Sequence, residues 1–169
     1  MFDQAYEFRY TSKETGVPNV FDRHILTFAC RFGQQYIVEV EQYDDQFYAI
    51  KFFLKSHRLS ANRYSLTTQF FDAGRVIATC LQIMKYFYER NPQASFGFVA
   101  SPLLHENKAL TKRFRVYRRI MENVFPPYIF HHYTYEQQSV YLLLNRKIET
   151  GGTLLKILEM CQRYYQIYF

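Results

Sequence analysis

Residues 91–121, NPQASFGFVASPLLHENKALTKRFRVYRRIM, constrain this chain more than any other stretch. Pro92 biases Asn91 away from helical backbone, so a preceding helix ends there and a new element begins near Ala94. Ser95-Phe96-Gly97-Phe98-Val99-Ala100 is short and apolar with small residues at alternate places, the composition of a strand covered on both faces. It is expected in the middle of a sheet. Beyond Pro102, the apolar positions Leu110, Phe114, Tyr117, Met121 and Val124 recur at three- and four-residue steps and mark one side of a helix docked on that sheet. Lys108, Lys112, Arg113, Arg115, Arg118 and Arg119 take the remaining positions. With six cations against Glu106 alone, residues 104–121 carry a formal +5 of the chain's +6.

A chain of 169 residues is expected to form a single domain, 1–169, with enough apolar material for a core. The content of 16 Tyr and 17 Phe argues against long disordered spans and assigns most aromatics to the core. No apolar run is long enough for a membrane span and no charged-then-apolar leader is seen, so a cytoplasmic protein without membrane attachment is expected. Cys30, Cys80 and Cys161 are far apart and odd in number, with no ligand-like spacing. Neither a disulfide framework nor a metal site is expected, and Cys80 and Cys161 read as small core residues.

Residues 1–20 form a lead-in in which Tyr6, Phe8 and Tyr10 alternate, as an edge strand would. Residues 24–32, 36–43 and 47–54 each alternate or run apolar, separated by Gly33-Gln34 and Asp44-Asp45-Gln46, and read as an antiparallel meander. In the second, Val38 and Val40 point inward while Glu39 and Glu41 point to a solvated side. Asp72 is placed to cap a helix reaching Arg90, with Val76, Ile77, Cys80, Met84 and Phe87 as its buried stripe. After Pro126-Pro127, residues 128–135 and 139–145 read as two more strands, in which His131 and His132 face opposite ways and cannot share a metal. Gly151-Gly152 breaks the chain, and Thr153 caps a last helix, 152–169, with Leu154, Leu155, Leu158, Cys161 and Tyr165 on its apolar side. That helix either seals the sheet or pairs with a second copy in a homodimer. The fold class is α+β: a mixed central sheet of about six strands with three helices, in the order βββαβαββα.

Candidate ligand contacts gather around one region. Residues 57–71 lack a clean period and contribute Arg58 and Arg63, and a loop of this length in a compact domain is usually functional. Gly74 lies in the first turn of the helix after it, where backbone N–H groups favour anions. Arg113, Arg115 and Arg118 present planar donor forks suited to phosphate. The expected partner is therefore an anion, either a phosphate-bearing small molecule or nucleic acid; the sequence pI of about 9.2 allows both. No zinc finger, helix-turn-helix or RNP-like motif accompanies the charge, so base-specific reading is not expected.

The element order over residues 24–145 resembles the core of the GCN5-related acetyltransferases, where three meandering strands lead into a helix that receives the coenzyme pyrophosphate. Phe114-Arg115-Val116-Tyr117-Arg118-Arg119-Ile120 is similar to the family helix that carries a tyrosine near the thioester. That resemblance implies acetyl-CoA as cofactor, an acyltransferase-like core, Tyr117 as general acid and Glu39 or Glu41 as a base acting through water. The family's glycine-rich signature is missing, since Gln69-Phe70-Phe71-Asp72-Ala73-Gly74 has neither its spacing nor its second glycine. Val76-Ile77-Ala78-Thr79, Pro92, Ser101 and Arg113-Phe114-Arg115-Val116-Tyr117 also resemble a group of small uncharacterised bacterial proteins, which implies a shared fold and no activity.

Overall fold

A mixed sheet runs through the centre of the molecule, with strands alternately apolar on both of its faces. The computed structural model describes residues 4–64, 72–99 and 106–169. The expected end of the central strand at Ala100, the Ser101 of the second resemblance and positions 69–71 of the glycine-signature comparison lie outside them. Among the described residues the sheet has seven strands in the order β1-β2-β3-β4-β5-β7-β6, one more than the sequence pattern implies. The first four, β1 (Phe8–Glu14), β2 (Asp22–Ala29), β3 (Gln35–Tyr43) and β4 (Phe47–Leu54), are an antiparallel meander. The additional strand is β1, weakly patterned because it lies at the sheet edge with mostly exposed residues and a register shift between Tyr10 and Ser12.

A crossover through helix α1 (Ala73–Arg90) brings β5 (Ser95–Val99) parallel to β4. Helix α2 (Lys112–Val124), β6 (Phe130–Tyr135), β7 (Val140–Asn145) and helix α3 (Thr153–Tyr165) complete the chain, with β7 inserted antiparallel between β5 and β6. β5 is thus interior, as its short apolar composition implies. Asn145 fixes its start: the side-chain amide donates to Pro92 O at 2.8 Å and Ala94 O at 3.2 Å, and Ser95 Oγ accepts from Asn145 N at 2.9 Å.

Both faces are covered, which explains why β7 reads as an unbroken apolar run. On one face, Leu26, Val38, Val40, Ile50, Phe96 and Tyr141 pack with α1 and α2. On the other, Tyr43, Phe47, Ala49, Val140, Leu142 and Leu144 pack with Ile157 and Cys161 of α3. The five stripe residues expected of α1 are all buried. Asp72 occupies its N-cap position but does not cap; its carboxylate accepts from Tyr6 Oη and lies 3.8 Å from Arg31 Nε.

Four expectations about faces are corrected. α2 starts only at Lys112, where Thr111 Oγ1 accepts from Phe114 N at 3.1 Å; Leu110 lies before it in left-handed backbone, exposed. Val124 is 46% exposed, and Ile120 is buried instead. In α3, Leu155 is 59% exposed and Ile157 fills the inward position, with Gly152 as the N-cap residue and Thr153 Oγ1 accepting from Thr150 N. The strand expected over residues 24–32 stops at Ala29, which leaves Phe32 exposed as the chain turns over Arg31 to Gly33, whose φ of +76° suits a residue without Cβ. No helix among the described residues is long and apolar enough to cross a membrane.

Candidate functional site

The parallel pairing of β4 with β5 is short. Phe47, Tyr48 and Ala49 face Ser95, Phe96 and Gly97, and there the register ends, although β4 continues to Leu54 and β5 to Val99. Gly97 sets the closeness of the approach, for a Cβ on it would collide with the Phe47 ring and press on Leu142. Past this point the strands part. A cavity of about 20 Å³ lies at the gap, lined by Ile50, Lys51, Tyr64 and Val99 with Arg113 and Tyr117 of α2. It has room for about one water molecule. A larger cavity of about 220 Å³ lies against α3, and Ile50, Lys51, Tyr64 and Val99 line it too, so the two meet at the gap from opposite faces of the sheet.

Because side chains alternate along a strand, Glu39 and Glu41 of β3 and Lys51 of β4 share the face that carries α3. The expected solvated face is wrong here: both carboxylates are buried, Glu41 to 2% exposure. Lys51 Nζ contacts Glu41 Oε1 and lies 3.8 Å from Glu39 Oε2. Arg23 Nη2 donates to Glu41 Oε1 at 3.2 Å, while Tyr43 Oη and Tyr165 Oη donate to its Oε2 at 2.5 and 2.7 Å. Tyr64 Oη donates to Glu39 Oε2 at 2.6 Å. Burial pushes the Glu41 carboxyl up, but the Lys51 charge and the Lys51, Tyr43 and Tyr165 hydrogen bonds outweigh it and hold the group below the ordinary carboxylate value. Burial and the same carboxylate push the Tyr165 phenol up. Glu41 is therefore an ionised, fully engaged anion and a poor proton acceptor. No local pattern signals this cluster, because Tyr43, Lys51, Tyr64 and Tyr165 converge only through strand pairing and the packing of α3.

Tyr117 is buried against Phe98, their ring centroids 5.3 Å apart, and burial pushes its phenol up so that it keeps its proton. Its position at the gap cavity is separate from the Glu39 and Glu41 cluster, which lies on the opposite face. Arg63 and Arg113 come together at Tyr64. The Arg63 guanidinium lies over the Phe53 and Tyr64 rings at 5.1 and 4.8 Å and donates to Tyr64 Oη, while Arg113 donates to Tyr64 O and lies over Phe52. Gly74 is exposed in the first turn of α1, with nothing within 4 Å of a Cβ placed on it. Arg58 is exposed outside this group, on the turn after β4, and Arg115 points outward from α2. Arg118 is engaged elsewhere, by Glu122 at 3.4 Å and by Glu136 on the β6–β7 turn. Burial holds the thiols of Cys80 and Cys161 up at about 12, so both stay protonated and neither is a nucleophile. Among the described residues no group of His, Cys, Asp and Glu is arranged to hold a metal ion.

Comparison with known proteins returned no matching family model, no matching curated protein and no matching solved structure.

Proposed function

We propose that the chain binds a phosphate-bearing small molecule of the coenzyme A thioester class in the gap between β4 and β5, on an acyltransferase-like core. The observation that carries this reading is the parting of two parallel interior strands after three residue pairs, with a cavity on each side of the opening. Clefts beyond the carboxyl ends of parallel strands are the usual ligand sites of sheets crossed over by helices. The cations Arg63 and Arg113, which meet at Tyr64 on the wall of both cavities, supply donors suited to phosphates. The extended, amide-bearing arm of such a coenzyme is a complement to the strand edges beyond Ala49 and Gly97.

Transfer of the acyl group is a second reading, favoured by Tyr117. In that step an acceptor amine attacks the thioester carbonyl, a C–N bond forms, the C–S bond breaks, and the buried phenol supplies the proton to the departing sulfur. The acceptor's own proton would go to water, since Glu39 and Glu41 are occupied by phenol and ammonium donors. Nucleic acid fits less well, because Arg118 is withdrawn from the α2 row by two carboxylates.

The test of binding is thermal unfolding with coenzyme A and acetyl-CoA. A ligand selective for the folded chain stabilises it by about 2.7 kcal/mol at a hundred times its Kd. A raised Tm for both compounds is expected; an unchanged Tm at millimolar concentration of either removes the reading. Amide product from acetyl-CoA and an amine, lost in Tyr117→Phe with binding kept, separates transfer from binding alone.

A further inference from the structure

The cavity beneath α3 is far larger than an acetyl group needs. Its volume is about 220 Å³, and its body is walled by Phe47 and Ala49 from β4, Gly97 from β5, Val140 and Leu142 from β7, and Ile167 beyond α3. The polar side chains on its wall collect at one end. There Lys51, Tyr64 and Tyr165 turn their heteroatoms toward Glu39 and Glu41. The remaining heteroatom, the Cys161 thiol, is a weak donor. A charged or strongly polar occupant would lose its hydration there without gaining partners, whereas apolar cavities stay dry and accept apolar guests. The same four residues that line its mouth also line the gap cavity beside Arg113 and Tyr117. The two cavities thus share a wall, and an apolar tail on the α3 side would lie next to a group held between β4 and β5.

We propose that the acyl group of the bound thioester is a medium-length unbranched alkyl chain, longer than acetyl and shorter than palmitoyl. This rests on the reading that a coenzyme thioester lies in the gap, and adds to it which thioester. The polar collar of Lys51, Tyr64 and Tyr165 then stands around the first carbons of the chain, and Phe47, Val140, Leu142 and Ile167 wall the rest of it. Tyr43 and Tyr165 hold Glu41 from β3 and α3 together.

Isothermal titration of the full chain with coenzyme A, acetyl-CoA, octanoyl-CoA and palmitoyl-CoA, kept below micelle-forming concentrations, tests the proposal. Burial of a methylene is worth up to about fourfold in affinity. Octanoyl-CoA is expected to bind at least tenfold tighter than acetyl-CoA, and palmitoyl-CoA no tighter than octanoyl-CoA. Ile167→Trp, which enlarges a residue of the cavity wall, is expected to bring the octanoyl-to-acetyl ratio below about threefold. Equal affinities for acetyl and octanoyl thioesters overturn the chain-length proposal while leaving the gap as a coenzyme site. Failure of every compound, coenzyme A included, overturns both, and affinity that keeps rising to palmitoyl overturns the cavity as the measure of the chain.

Discussion

At Glu41 a carboxylate has been taken almost wholly out of water, and its neighbours decide what that costs. Lys51, Arg23 and two phenols satisfy it, so the cluster is stable as a unit and unstable in pieces. Lys51→Met is expected to destabilise the fold by about 3 kcal/mol, the low end for breaking a buried pair because Arg23 remains. Adding Glu41→Gln is expected to recover part of that loss, and urea melts of the single and double variants measure the coupling. Additive losses would mean that the two groups do not interact. Gly97→Ala is a second residue-scale test. With no room beside Phe47 and Leu142, overpacking is expected to cost about 1–3 kcal/mol and to disturb the gap as well as the core. The alternation of β3 correctly placed Glu39 and Glu41 on one face. It said nothing of what lay on that face, since the partners come from β2, β4, a turn and α3, remote in sequence.

Among the elements, the edge pair β6–β7 carries a pH response. His132 Nε2 lies 3.0 Å from Phe125 O, which can only accept, so Nε2 bears the proton and Nδ1 accepts from Tyr141 Oη at 2.7 Å. The neutral ring is satisfied at both nitrogens. Burial lowers its pKa from the ordinary 6.5, against the opposing pull of the Phe125 carbonyl. A lowered histidine takes up protons more readily when unfolded, so its stabilising share is full above 6.5 and is lost as pH falls below it. Denaturant midpoints from about pH 7 down to about pH 5 are expected to fall, and to fall less in His132→Gln. An identical slope in the variant would place the response elsewhere, with His24, also lowered chiefly by burial, the next group to test.

Elements with strong periodicity were legible in the sequence. α1 ends at Arg90 as its stripe and Pro92 require, and β4 spans residues 47–54 as its composition does. Errors fell where local pattern competes with tertiary placement. β1 is an edge strand with little to bury, Leu110 is apolar yet precedes its helix in left-handed backbone, and Leu155 and Ile157 compete for one inward position that only the sheet's location decides. The basic residues were legible as a row along α2 but not by role, because Arg118 meets Glu136 across the β6–β7 turn.

For the molecule as a whole, charge and cleft make separate statements. Whatever affinity for nucleic acid the exposed Lys112, Arg115 and Arg119 confer is electrostatic and insensitive to sequence. Arg115→Ala with Arg119→Ala is expected to flatten the log–log salt dependence of duplex binding by about 1.8, at roughly 0.9 for each phosphate no longer neutralised. An unchanged slope would show that this face does not meet phosphates. The gap between β4 and β5 makes the more specific claim, and amide hydrogen exchange locates it. With saturating coenzyme A, exchange is expected to slow at residues 50–54 of β4 and at residues 98 and 99 of β5, with the outer face of α2 unaffected. Protection confined to α2, or none anywhere, would contradict the placing of a coenzyme between those strands.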